Sequence, residues 1–187
     1  MKLLRNVVPV LVVTLAGCAT VNTEERIAAS RDTIGTMKTR MQATLQSTMK
    51  EHGPIKAIEV CRNKAPKMAA MMSDKTGWQI GRTSLKLRNP ANAPDAWEQK
   101  VLNEFETRKA AGTNPETLEY SEVVSEDGKR YFRYMKAIPA GAPCMTCHAG
   151  EIDQKLEAQI NQLYPDDKAR GYKVGDIRGA FTIKQPL

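Results

Sequence analysis

The sequence predicts an α+β domain with a single core. Two observations carry the prediction: several helical patterns follow one another along the chain, and four separate runs read as antiparallel strands. Length agrees: 187 residues, less an N-terminal leader, leave about 170, the size of one domain.

The elements follow in order. From about Thr23 to Lys50, Ile27, Ile34, Met37, Met41, Leu45 and Met49 recur at helical spacing, and His52-Gly53-Pro54 stops the run. One face of this helix is expected to be buried, and the same stripe could pair two copies into a homodimer. Pro54 restarts a helix at its first turn, placing Ile55, Ile58 and Cys61 on roughly one face. Pro66 is expected to break or kink the chain before a short Met-rich turn from Lys67 to Ser73, which Lys75-Thr76-Gly77 closes. Trp78 to Ser84 reads as a strand, and Asn89 to Asp95 as a loop. Pro94-Asp95 then opens a helix to about Ala110 with Trp97, Val101, Leu102 and Phe105 inward. Leu118 to Val124 and Arg130 to Ile138 form a hairpin around Asp127-Gly128. Gly150 to Leu163 is an amphipathic helix carrying Ile152, Leu156, Ile160 and Leu163. A turn region rich in glycine (Gly171, Gly175, Gly179) leads to a last strand, Ala180 to Lys184.

The leader has an address. Lys2 and Arg5 precede an apolar stretch from Val7 to Ala16, about ten residues, within the ~7–15 of a signal h-region and short of the roughly 20 that span a bilayer. Leu15-Ala16-Gly17-Cys18 resembles the lipobox of bacterial lipoproteins. The resemblance implies a signal peptide over 1–17, lipidation of Cys18, a tether over 18–22 and a domain over 23–187. Ala19 after the cysteine resembles the outer-membrane-sorted class, so the chain is expected in the periplasm, anchored to the outer rather than the inner membrane. Cleavage removes two of the 28 basic residues and none of the 21 acidic ones, so the mature chain stays basic. Its charges are interspersed. That argues against nucleic-acid binding and suits a mixed surface that could meet an acidic partner or anionic headgroups.

Cys144-Met145-Thr146-Cys147-His148 carries the chemistry, because Cys-x-x-Cys-His is the pattern to which haem c is covalently attached. Two thiols must reach two vinyl groups of one porphyrin, and the adjacent imidazole must lie beneath the iron as proximal ligand. A zinc site or a thioredoxin-like pair fits less well: there is no second Cys-x-x-Cys, and His52 is the one other histidine. With Cys18 assigned to lipid and Cys144 and Cys147 to haem, Cys61 is left as a thiol without a disulfide partner in an oxidising compartment. His52 suits a solvated helix end, and Met68, Met71, Met72 and Met135 suit core packing better than ligation.

Five stretches together resemble one family: Ala57 to Cys61, Gly81 to Ser84, Leu87 to Pro90, Pro143 to His148, and Tyr172 to Ala180 with Gly175-Asp176 and Arg178-Gly179. It is the single-haem c-type domain with a PAS-like fold, long catalogued as a domain of unknown function, which occurs alone and as the sensor region of signalling proteins. The resemblance covers nearly all of the mature chain. It implies a PAS-like antiparallel sheet flanked by helices, with one haem c whose iron is held by His148 and Cys61. Arg82 and Arg88, and behind them Lys86 and Arg178, are candidate partners of the haem propionates, since Arg suits bidentate carboxylate recognition. Tyr172, Gly175 and Asp176 are expected to shape a turn.

Two functions follow from such a site. One is a lipid-anchored one-electron carrier or redox-state reporter. The other is a haem sensor of NO, CO or redox poise that signals to a partner through loss of the Cys61 ligand, Cys61 taking up a proton on reduction. The partner in either case is an unidentified periplasmic redox or signalling protein. An enzyme such as a peroxidase is not expected, because the distal side would be occupied.

Overall fold

The computed structural model describes residues 21–187. Lys2, Arg5, the proposed signal peptide, Cys18 and Ala19 lie outside the described residues. Among the described residues no helix is long and apolar enough to cross a membrane.

Helix α1 is entered through Asn22, whose side chain accepts the Glu25 N–H at 3.2 Å. It runs Thr23–Glu59 with one break at Gly53, where φ 78° and ψ 174° leave helical space. The stop expected at His52-Gly53-Pro54 is thus a bend, and Pro54 restarts the helix beyond it. Pro66 does not break the chain as expected. A π-helical turn, Val60–Lys64, widens the helix so that the Ala65 N–H reaches the Val60 carbonyl. Pro66 then falls in the first turn of α2, Ala65–Thr76, where its missing N–H costs nothing. The same turn alters the expected shared face: Ile58 is buried, Cys61 half-buried and Ile55 44% exposed.

Strand β1, Gln79–Thr83, leads through a loop to α3, Ala96–Ala110. A capping box starts α3: Asp95 Oδ1 accepts the Glu98 N–H at 2.8 Å, and the Glu98 carboxylate accepts the Asp95 N–H at 3.1 Å. Strands β2, Glu119–Glu126, and β3, Lys129–Pro139, turn on Asp127 (φ 51°) and Gly128 (φ 74°), the signs a two-residue hairpin turn requires. The helix α4, Met145–His148, carries the haem-type motif. Helix α5, Gln154–Leu163, begins later than its amphipathic pattern because Asp153 caps it, accepting the Leu156 N–H at 3.0 Å.

Strand β4, Ile177–Pro186, is longer than expected, and Gly179 belongs to it rather than to a turn. A Cβ on Gly179 would lie 2.3 Å from the Thr83 carbonyl oxygen, so glycine marks a close strand approach.

The sheet order is β1-β4-β3-β2, all antiparallel. Alternation on β3 and β4 builds two cores. Phe132, Tyr134, Phe181 and Ile183 pack with Ile34 and Met37 of α1 and Met72 of α2; Met135, Ala137 and Ala180 pack with Val101, Leu102 and Phe105 of α3. Most of the predicted α1 stripe is therefore spent on its own sheet. A third cluster joins Ile58 to Leu156, Ile160 and Tyr164, fastening α5 beneath the segment that carries Cys61.

Candidate functional site

The site lies where the end of the helical arm, the β1/β4 edge and α4 converge. Three thiols lie near enough to feel one another's charge. Cys61, Cys144 and Cys147 are half-buried free thiols, a charge on Cys144 would raise the Cys61 thiol, and one on Cys61 would raise that of Cys147. Burial pushes the Cys61 thiol up, against the opposing pull of Arg82, Arg88 and Arg178. The balance favours the neutral thiol.

His148 presents a neutral imidazole with one nitrogen engaged. Its Nδ1 lies 2.8 Å from the Ala169 carbonyl oxygen, which can only accept, so Nδ1 carries the proton and Nε2 keeps its lone pair. Burial first, then Arg178 and Arg88, hold the imidazole pKa down to about 3, so the ring is neutral. The His148 carbonyl accepts the Tyr172 N–H at 3.0 Å, and the Tyr172 ring stands edge-on to the imidazole with centroids 6.1 Å apart.

The predicted basic residues divide into two kinds. Arg88 is committed: Nε and Nη2 grip both oxygens of Asp167 at 3.1 and 3.0 Å, and Nη2 also donates to the Cys147 carbonyl at 2.6 Å. Burial works to raise the Asp167 carboxyl, but hydrogen bonds from Arg88 and Arg170 outweigh it and hold the group below the usual carboxylate range. Arg82 and Arg178, by contrast, form no ion pair among the described residues, although both bear on Cys61. Burial pushes the Arg178 guanidinium below its ordinary range. It donates to Ser84 Oγ at 3.1 Å and lies 5.4 Å from the Tyr172 ring centroid, and Lys86 Nζ stands 5.1 Å from the same centroid. Arg82 and Arg178 are half-buried and Lys86 is exposed, so this wall carries positive charge that no carboxylate among the described residues neutralises, which makes it complementary to an anionic ligand.

Arg178 is delivered by a β-bulge. Ile138 pairs with Gly179 and Pro139 with Ile177, so Arg178 is the residue skipped in the ladder. The other sequence candidates are elsewhere: Met72 and Met135 are core, Met68 packs against the first core, Met71 is 49% exposed, and His52 is exposed beside Glu51. Asp176 shapes the expected turn, accepting the Lys173 N–H at 2.8 Å.

The model of the Tll0287-like family (Tll0287) matches residues 20–186. The chain belongs to the Tll0287-like family. The crystal structure of the cyanobacterial heme-protein Tll0287 is similar to it, with a TM-score of 0.67 and 26% identity, over 87% of this chain and 96% of that one. A search among curated proteins found no match.

In this Tll0287-like chain the sequence reading missed Asp167 and Ala169. Asp167 stands 79 residues from Arg88 along the chain, and Ala169 contributes only its backbone, so neither leaves a local pattern. Among the described residues no group of three or more His, Cys, Asp or Glu side chains converges as a metal cage.

Proposed function

We propose that this chain is a c-type haem protein with a PAS-like sheet, serving one-electron transfer or redox-state reporting from a lipid anchor at Cys18 on the periplasmic side of the outer membrane. The observation that carries the reading is His148. A neutral ring with Nδ1–H spent on Ala169 and Nε2 open, on a short helix that carries Cys147 and is preceded by Cys144, is what axial ligation beside two thioether bonds requires. Such a haem supplies one-electron chemistry at iron. Cys144 and Cys147 would fix the porphyrin, His148 Nε2 and Cys61 Sγ would hold the metal, and Arg82 and Arg178 would neutralise the propionates. Because burial disfavours a bare Cys61 thiolate, its charge would be worth most against Fe(III), which favours a low potential relative to a His/Met centre.

The partner in this reading is a periplasmic redox or signalling protein, and neither nucleic acid nor enzymatic turnover is involved. Half-buried Leu45 and Met49 on α1 would be the contact of a homodimer. A second reading, a haem sensor of NO, CO or redox poise, draws on one feature: Cys61 lies in a π-helical turn, a geometry that can revert to α and withdraw a ligand.

Purified chain exported from a haem c-maturing host tests the proposal. The expected mass exceeds the polypeptide by one haem that survives acid–acetone extraction and is lost in Cys147→Ala. Extractable haem, or none, contradicts it. CO binding to the reduced wild-type protein would favour the sensor, and refusal the carrier.

A further inference from the structure

Arg88 and Asp167 are a nearly enclosed ion pair, their side chains 10% and 2% exposed. Enclosure of two charges is expensive, and the pair's remaining contacts show what it holds. Arg88 Nη2 reaches the Cys147 carbonyl at 2.6 Å and the Ala169 carbonyl at 3.4 Å. Asp167 Oδ1 accepts the Ala169 N–H at 2.9 Å, and Oδ2 accepts Arg170 Nε at 2.8 Å. Both ends of the His148 environment are thus gripped: the residue before it through Cys147, and the acceptor of its Nδ1–H through Ala169. The 167–170 segment has no helix or strand to hold that carbonyl in place. One further tie, Lys168 N–H to the Leu87 carbonyl at 2.7 Å, joins the segment to the residue preceding Arg88.

We infer that the Arg88–Asp167 pair is a positioning clamp for His148, fixing through the Ala169 carbonyl the orientation, tautomer and donor strength of the imidazole. Arg88 is then not a propionate partner; that task falls to Arg82 and Arg178. Nη2 also presses positive charge on the oxygen that accepts Nδ1–H, which restrains imidazolate character and so restrains electron donation from Nε2. Naming Nε2 an iron ligand rests on the haem reading; the clamp itself does not.

The test is the exchange of the His148 Nδ1–H with solvent, read by NMR in the reduced, ¹⁵N-histidine-labelled holoprotein. The chain has two histidines, and His52 is exposed, so the signal is unambiguous. The wild-type proton is expected to be protected. In Arg88→Met and Asp167→Asn it should exchange about tenfold faster, the worth of one hydrogen bond, with the midpoint potential lowered by the first and raised by the second. Arg88→Lys, which keeps the charge but cannot bridge Asp167 and Cys147, should fall between and guards against a variant that fails to fold. Unchanged exchange in Asp167→Asn and Arg88→Lys, both folded, overturns the clamp. So does a shift confined to the pH dependence of the potential in Arg88→Met, the mark of a propionate partner. Absence of haem would overturn the haem reading alone, since the exchange can still be read.

Discussion

Burial sets the protonation state of the groups that matter, and its sign differs from residue to residue. In the site it keeps His148 neutral and favours the protonated Cys61 thiol. At the far end of the sheet the balance is opposite. Glu119 binds Arg31 and accepts the Tyr134 hydroxyl at 2.6 Å; the Arg31 hydrogen bond leads in holding its pKa down to about 2, against burial. A depressed carboxylate contributes stability that is full above its unfolded value of 4.5 and is lost as pH falls towards about 2. Glu119→Gln is therefore expected to cost about 1–2 kcal/mol at neutral pH and to flatten the acid limb between those values. Urea unfolding of both proteins at a series of pH values checks this, and parallel acid limbs would refute it.

At the scale of elements, two irregularities aim the site. The π turn at Val60–Lys64 admits Pro66 and carries Cys61, and the bulge at Ile138/Pro139 takes Arg178 out of the β4 ladder to meet Ser84 and Tyr172. Gly179 makes the bulge possible, with φ 155° and the Thr83 carbonyl where a Cβ would be. Gly179→Ala is expected to destabilise by about 3 kcal/mol, combining backbone strain and overpacking, a fall in Tm of about 5–10 °C read by calorimetry. The β1–β4 edge should loosen first in hydrogen exchange. An alanine variant of wild-type Tm would show that the strands part without cost.

Over the whole molecule, what the sequence disclosed was local. Asp127-Gly128 specified its turn, Pro94-Asp95 the start of α3, and the spacing of Ile34 and Met37 the buried face of α1. Cys144, Cys147 and His148 stand out as candidates by their spacing, and Cys61 by elimination. The proposal that Cys61 and His148 share one iron comes from the resemblance to a family. What stayed hidden depends on distance along the chain or on backbone alone. The Arg88–Asp167 pair, the Ala169 carbonyl and the strand order β1-β4-β3-β2 are of this kind, since no local pattern encodes a partner dozens of residues away. Pro66 and Gly179 misled for a related reason: each reads locally as a breaker, and each is absorbed by a neighbour, the π turn for one and Thr83 for the other. The central claim is that one iron lies between His148 and Cys61, and the absorption spectrum of the oxidised holoprotein, compared with that of Cys61→Ala, tests it most directly. The account predicts a six-coordinate low-spin spectrum with thiolate character that the substitution abolishes; identical spectra for the two proteins would contradict it.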